Sequence, residues 1–346
     1  MGVVRITVRR IAIGILGLLT ATSSCLNGTS LPNKNHNDSE TFEDPPIRSQ
    51  LQTIAILAPT NVHTKEVWGT MVSELTDSFN IVTVPIELRT TPTQLGTRID
   101  EIRPSCVVLI NNRTVNLYRE LQRSQTGRTF PPAVVVMTSF LEQIIGSLRN
   151  ATGIAYEVPA VSSFVALREV TTTPIQKVGV VYRDAFSDTI LKQTKLAAVE
   201  KINLIALRVR NNPRLAEVDD AITLLLDDYR VDALWVLNDN VLLSQSLLQD
   251  TWLPRIHQRP IPVVVGVSAL VQPDMKFGSF AVLPNHQELG VQAAQLILDI
   301  GENHWWIPEH KVELPLSVRT VADVNFVQTH FGLRADALSK IDETVK

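Results

Sequence analysis

Only two of the 346 residues are cysteine, Cys25 and Cys106, and no CxxC pair exists. That argues against a structural zinc cluster and against thioredoxin-type redox chemistry. A basic excess is missing as well: the formal net charge is −3. Nucleic-acid binders usually carry a clustered Lys/Arg face, so no nucleic-acid partner is expected. There is no GxSxG elbow, no GxGxxG after the first strand, no Walker A sequence and no HExxH. Each of these motifs serves a particular chemistry, and without them neither an enzyme nor a cofactor is expected. The seven histidines are scattered. His304 and His310 are separated by a proline and share no fixed helical face, so no metal site is expected. His286 and Glu288 read as a helix cap and surface. Long apolar runs are lacking too. Ile11–Leu19 (IAIGILGLL) falls far short of the roughly 20 residues that span a bilayer.

That short run has a meaning of its own. Arg5, Arg9 and Arg10 precede it and small residues follow it (TATSSC, ending at Cys25). This is the layout of a signal peptide over 1–25. It resembles a bacterial lipoprotein leader, in which Cys25 becomes the lipidated N-terminus, although Thr22 stands where an aliphatic residue is usual. Plain cleavage and an uncleaved anchor remain open. Loss of the three arginines would bring the chain near −6 (−3 minus 3). Residues 26–51 are polar, rich in Asn, Ser and Pro, and lack periodicity, which predicts a flexible linker. A lipid at Cys25 would hold the body against a membrane, on the periplasmic or extracytoplasmic side.

The full chain is 45% hydrophobic, and its 346 residues are enough for about two domains. Short Val/Ile runs alternate with amphipathic stretches. Strands are predicted at 53–59, 81–88, 105–112, 133–137 and 152–156. A second set follows at 177–184, 204–209, 231–240, 261–267 and 277–283. Helices fall between most of them, and Gln287–Ile300 forms a further helix that returns to the first half. Such runs indicate parallel sheets covered on both faces. The two halves repeat one order at a spacing near 125 residues. The fold class is therefore α/β, with two Rossmann-like lobes, several hinge crossovers and a cleft between them. Lobe I is expected over 52–154 plus about 284–305, and lobe II over 155–283 plus about 306–346.

In open parallel sheets, ligands sit beyond the carboxyl ends of the strands, where helix N-termini leave backbone N–H groups free. The candidate ligand contacts are accordingly strand-end residues. In the first lobe they are Thr60, Asn61, Asn112, Arg113, Thr114, Thr138 and Ser139. In the second they are Arg183, Asp184, Ser187, Asn238, Asp239, Asn240 and Ser268. Asp239 is suited to accept from an ammonium group, and Arg113 to pair with a carboxylate. Each also has a local reading, because Asn and Asp at strand ends form Asx turns and cap helices. Trp235 and Cys106 read as core residues.

Six segments carry a family resemblance over about 52–346. They are NATGIAY (150–156), KVGVVYRDAFSDT (177–189), VDALWVLNDN (231–240), IPVVVGVSALV (261–271), GSFAVLPNHQELGVQAAQLILDI (278–300) and VNFVQTHFGLRADALSKIDETV (324–345). In this order they resemble the ABC-transporter substrate-binding proteins of the type I periplasmic binding fold, in the branch that includes putative tryptophan/tyrosine binders. The resemblance implies capture of a small polar ligand, an amino acid among the candidates, and delivery to an ABC permease. The alternative is a ligand-sensing lipoprotein that acts on a membrane sensor or an envelope enzyme. Two loops depart from the pattern: Asn111-Asn112-Arg113-Thr114 replaces a small Gly-Thr-Pro-like turn, and TSFLEQI (138–144) stands where Asp-Pro is common.

Overall fold

The computed structural model describes residues 43–59, 62–307 and 311–345. The leader with Cys25, most of the expected linker, Thr60, Asn61 and His310 lie outside the described residues. The first half runs β1 (Thr53–Ala58), α1 (Val62–Leu75), β2 (Asn80–Pro85), α2 (Pro92–Ile102), β3 (Cys106–Ile110), α3 (Asn112–Ser124), β4 (Ala133–Thr138), α4 (Leu141–Ile144) and β5 (Ala151–Ala155). The second runs α5 (Ala160–Val170), β6 (Lys177–Arg183), α6 (Ser187–Val199), β7 (Asn203–Val209), α7 (Leu215–Thr223), β8 (Ala233–Trp235), α8 (Gln245–Leu247), α9 (Leu253–Gln258), β9 (Val263–Val265) and β10 (Phe280–Pro284). The closing segment holds α10 (His286–Glu302), β11 (Val312–Glu313), β12 (Val318–Asp323), α11 (Val324–Phe331) and β13 (Glu343–Val345).

Local sequence explains several boundaries. Thr91 and Gln94 form a reciprocal capping box around Pro92, so α2 starts with its first amide groups satisfied. The helix stops at Arg103, which turns left-handed immediately before Pro104. Strands β1, β3, β4, β5, β9 and β10 are apolar and buried along most of their length because helices cover both faces of each sheet.

The sheets share one plan. The first has the order β11-β5-β4-β3-β1-β2 and the second β13-β12-β10-β9-β8-β6-β7. Each places its third strand between its first and fourth, as the repeated sequence pattern implies. All strand pairs are parallel except β10 with β12. Apolar clusters cover the two faces of each sheet. The chain passes between sheets after β5, after β10 and after β11. Helix α10 returns to the first sheet and lies against α1. Gly290 permits this approach, because a Cβ there would sit 2.8 Å from the Thr70 side chain and the Val67 carbonyl.

Four local features differ from the sequence expectation. Residues 44–51 are not a free linker: Asn80 grips the Arg48 and Leu51 backbone, and the Asp44 carboxylate accepts the Thr83 N–H. Helix α5 had no strong signal, being short, rich in Val and without a side-chain cap. The first sheet reclaims the chain later than residue 305, through β11 beside β5. Finally, the strand expected over 231–240 pairs only over Ala233–Trp235, and the helix expected after it is broken into short pieces with a wide turn at Leu248–Trp252.

Candidate functional site

The truncation of β8 follows from its polar end. Val236 still donates to the Val264 carbonyl, but Asp239 N–H turns back onto the Leu237 carbonyl at 2.7 Å. Asp239 is only 2% exposed. Arg183, the last residue of β6, donates through Nε and Nη2 to its two carboxylate oxygens at 2.6 and 2.7 Å. Val241 N–H adds a third bond at 3.0 Å. A bidentate guanidinium–carboxylate pair of this kind is strong and geometrically selective. Both oxygens of Asp239 are therefore engaged within the second lobe, so the ammonium acceptor expected at this position is already occupied by Arg183. The guanidinium also reaches the Asn211 carbonyl and lies over the Phe186 ring.

The flanking asparagines part ways. Asn240 is exposed and lines an open cavity of about 490 Å³ together with Asn111, Asn112 and Arg113 at the start of α3. The two polar strand ends thus meet across one space, contributed by both sheets. Asn238 instead borders a smaller cavity of about 30 Å³, with Phe140, Glu157, Trp235 and Gly266. Its Oδ1 is buried and has no hydrogen-bond partner. Gly266 is required beside it: a Cβ would come within 2.6 Å of the Asn238 amide.

The first-lobe turn is tied locally. Asn111 has φ 82° and ψ 151°, an uncommon conformation for a residue with a side chain, and its Oδ1 accepts the Arg113 N–H at 3.0 Å. Asn112 clamps the next loop, donating to the Ser139 carbonyl at 3.2 Å and accepting the Ser139 N–H at 3.0 Å. Arg113 donates to the Glu87 carbonyl. Thr114 and Thr138 are wholly buried, and the Thr138 hydroxyl bonds back to the Val136 carbonyl. These two do not border either cavity. In the second lobe, Asp184 is exposed and pairs with Arg208, while Ser187 donates to the Asp184 carbonyl. Ser268 opens a short 3₁₀ turn after β9.

Sequence reasoning missed the crossover itself. Glu157 follows β5 and accepts the Phe140 N–H through Oε2 at 2.9 Å, whereas Oε1 is sealed from solvent without a partner. Burial pushes its carboxyl up to about 7, against the pull of the Phe140 N–H. Phe140 has φ 56°, a genuine outlier for a bulky side chain, and its ring packs 4.3 Å from that of Phe186 across the lobes. Next to Glu157, the Tyr156 hydroxyl meets His286 Nε2 at 3.0 Å, and His286 Nδ1 lies 3.4 Å from Glu66. His286 is therefore a buried residue at a crossing rather than an exposed cap, and it links two of the crossings. Trp235 is half-buried, with an edge-to-face contact to Phe164, and it lines the small cavity as well. The strained aromatic of TSFLEQI and the lone acid of YEVP were the available clues.

No protein-family model and no curated protein matches the sequence. Solved structures match over most of its length. One is the ABC domain in complex with L-Trp from Streptococcus pneumonia (14% identity, 85% of this chain and 100% of that one, TM-score 0.55). Another is a substrate-binding protein with adhesive properties from Clostridium difficile in its ligand-free, open structure (14%, 86% and 100%, TM-score 0.61). A third is a conserved domain protein from Vibrio cholerae (16%, 85% and 99%, TM-score 0.54). Two similar mostly parallel sheets, joined by repeated crossings and likened throughout to such structures, give the chain the type I periplasmic binding protein fold.

Proposed function

We propose that the protein is an extracytoplasmic solute-binding protein, tethered to a membrane through Cys25, that closes its two lobes on a small polar ligand and delivers it to an ABC permease. One observation carries this reading: Asn111, Asn112 and Arg113 of the first lobe and Asn240 of the second line one cavity at the carboxyl ends of both sheets. A ligand touching both sides favours the closed arrangement by its differential contacts, which is how such clefts shut. The lobe division over 52–154 plus 284–305 and over 155–283 plus 306–346 would serve that motion, with β11 as a strand lent to the first sheet. Amino acids are among the first ligands to try, a choice supported by the likeness to a structure in complex with L-Trp.

A thermal-shift screen with amino acids, sugars and other metabolites tests the reading. Ligand at 100 times its dissociation constant adds about 2.7 kcal/mol. A broad panel that stabilises nothing would sink it. The tether is tested separately. Cys25→Ala moves the protein from the membrane to the soluble fraction if Cys25 is lipidated. The signalling alternative draws on the charged turn at Asn111–Arg113. Capture of a membrane sensor instead of a permease, by crosslinking in the presence of ligand, would favour it.

A further inference from the structure

The small cavity beside Asn238 has room for a single group, not for a whole metabolite. At about 30 Å³ it admits one or two water-sized moieties. Its unspent polar atoms are Glu157 Oε1 and Asn238 Oδ1, both acceptors once Glu157 is ionised. Phe140, Trp235, Val265 and Val282 supply apolar wall around them. Buried acceptors without donors are unfavourable, and a carboxylate is best matched by a cationic donor. Asn238 lies two residues from Asn240, which lines the larger open cavity.

We propose that this cavity is the subsite for a primary ammonium group of the captured solute, held by Glu157 Oε1 and Asn238 Oδ1. The inference rests on the solute-binding reading and assigns the amine to Glu157, not to Asp239. Phe140 positions the acid through its N–H, and Gly266 leaves room for the Asn238 amide.

The charge environment sets the pH dependence. Glu142 on α4 faces Glu157 across a neighbouring cavity and raises its carboxyl further, while Lys192 on α6 is bonded to Glu142 at 3.0 Å. His286 and Arg319 stand near Tyr156 on the other side. With the empty-site carboxyl near 7, an ammonium ligand must displace a proton at pH 6. Its affinity then rises about tenfold between pH 6 and pH 8, with proton release at the lower pH.

The test is calorimetry and thermal shift on the purified full chain at both pH values. The probes are the L-amino acids, their N-acetyl derivatives, tyramine, putrescine, glucose and ribose. The expected result is a ligand with a free amine whose N-acetyl form binds at least about 100-fold more weakly. Glu157→Gln should weaken it by a similar factor and flatten the pH dependence. Asn238→Leu is the second variant should Glu157→Gln fail to fold, and a loss of about tenfold is expected there. A ligand that tolerates N-acetylation, or a panel in which only sugars bind, overturns the ammonium subsite and leaves solute binding standing. A panel with no ligand at all overturns both.

Discussion

The two sheets share a strand order, yet the turns that close their third strands are held in different ways. In the first lobe, β3 pairs along five residues and gives way at once to α3, a helix of 13 residues. The transition is made by a strained Asn111 and by the Asn112 amide, which binds neutral backbone groups. In the second, β8 pairs along three residues and the chain then coils around a buried charge pair, Asp239 with Arg183. Equal positions in a repeat therefore do not imply equal physics. One turn is fixed by backbone geometry and neutral hydrogen bonds, the other by electrostatics.

The comparison is open to direct attack. The largest effect is expected from Asp239→Ala, which leaves the half-buried Arg183 without its partner and should destabilise by ~3 kcal/mol in urea unfolding. If the second turn were fixed by backbone bonds as the first is, the loss would stay below about 1 kcal/mol. The crossover between the lobes comes next. The carboxyl of Glu157 is raised from 4.5 to about 7, so the folded protein keeps a proton that the unfolded chain gives up. The ligand-free protein should therefore lose about 3 kcal/mol of stability as pH rises from about 4.5 to about 7, and change little above that. Glu157→Gln should flatten this slope and melt higher than wild type at pH 8; an unchanged slope would remove Glu157 as its source. In the first lobe, Asn112→Ala strips two hydrogen bonds from the Ser139 loop, for ~1–2 kcal/mol in the same unfolding measurement, with little salt dependence. The smallest effect is reserved for Asn111→Gly. It relieves the positive φ while losing a cap, terms of similar size, and should fall within about 0.5 kcal/mol of wild type. Asn111→Ala keeps the strain and loses the cap, so it should be worse than Gly; the reverse order would deny that φ matters there.

Most of the sheet plan was legible because apolar runs of five to seven residues with helical stretches between them admit few alternatives. The shared position of Asn111–Asn112 and Asn238–Asn240 was legible for the same reason, and Asn111, Asn112 and Asn240 line one cavity. What escaped depends on contacts made at a distance in sequence. Asp239 looked free to bind ligand because Arg183, 56 residues earlier, gives no local sign of its partner. Glu157 drew no reading from the sequence, since its surroundings are supplied by Phe140 and the ends of β8 and β9. His286 read as a surface cap because its partners, Tyr156 and Glu66, come from other crossings and helices. Helix α5 is short and rich in β-branched residues, so its propensity is weak and packing in the second-lobe core decides it.

The clip of residues 44–51 onto β2 bears on aggregation. β2 is the outermost strand of the first sheet, and an open strand edge is a template on which another chain can pair. Asp44 occupies the Thr83 amide on that strand, and the Asn80 side chain pins the Arg48 and Leu51 backbone alongside it. A recombinant form trimmed at Gln52, where the first strand is about to begin, would bare that edge. Soluble versions of this protein should start before Glu43, and those that start later should show self-association that rises with concentration.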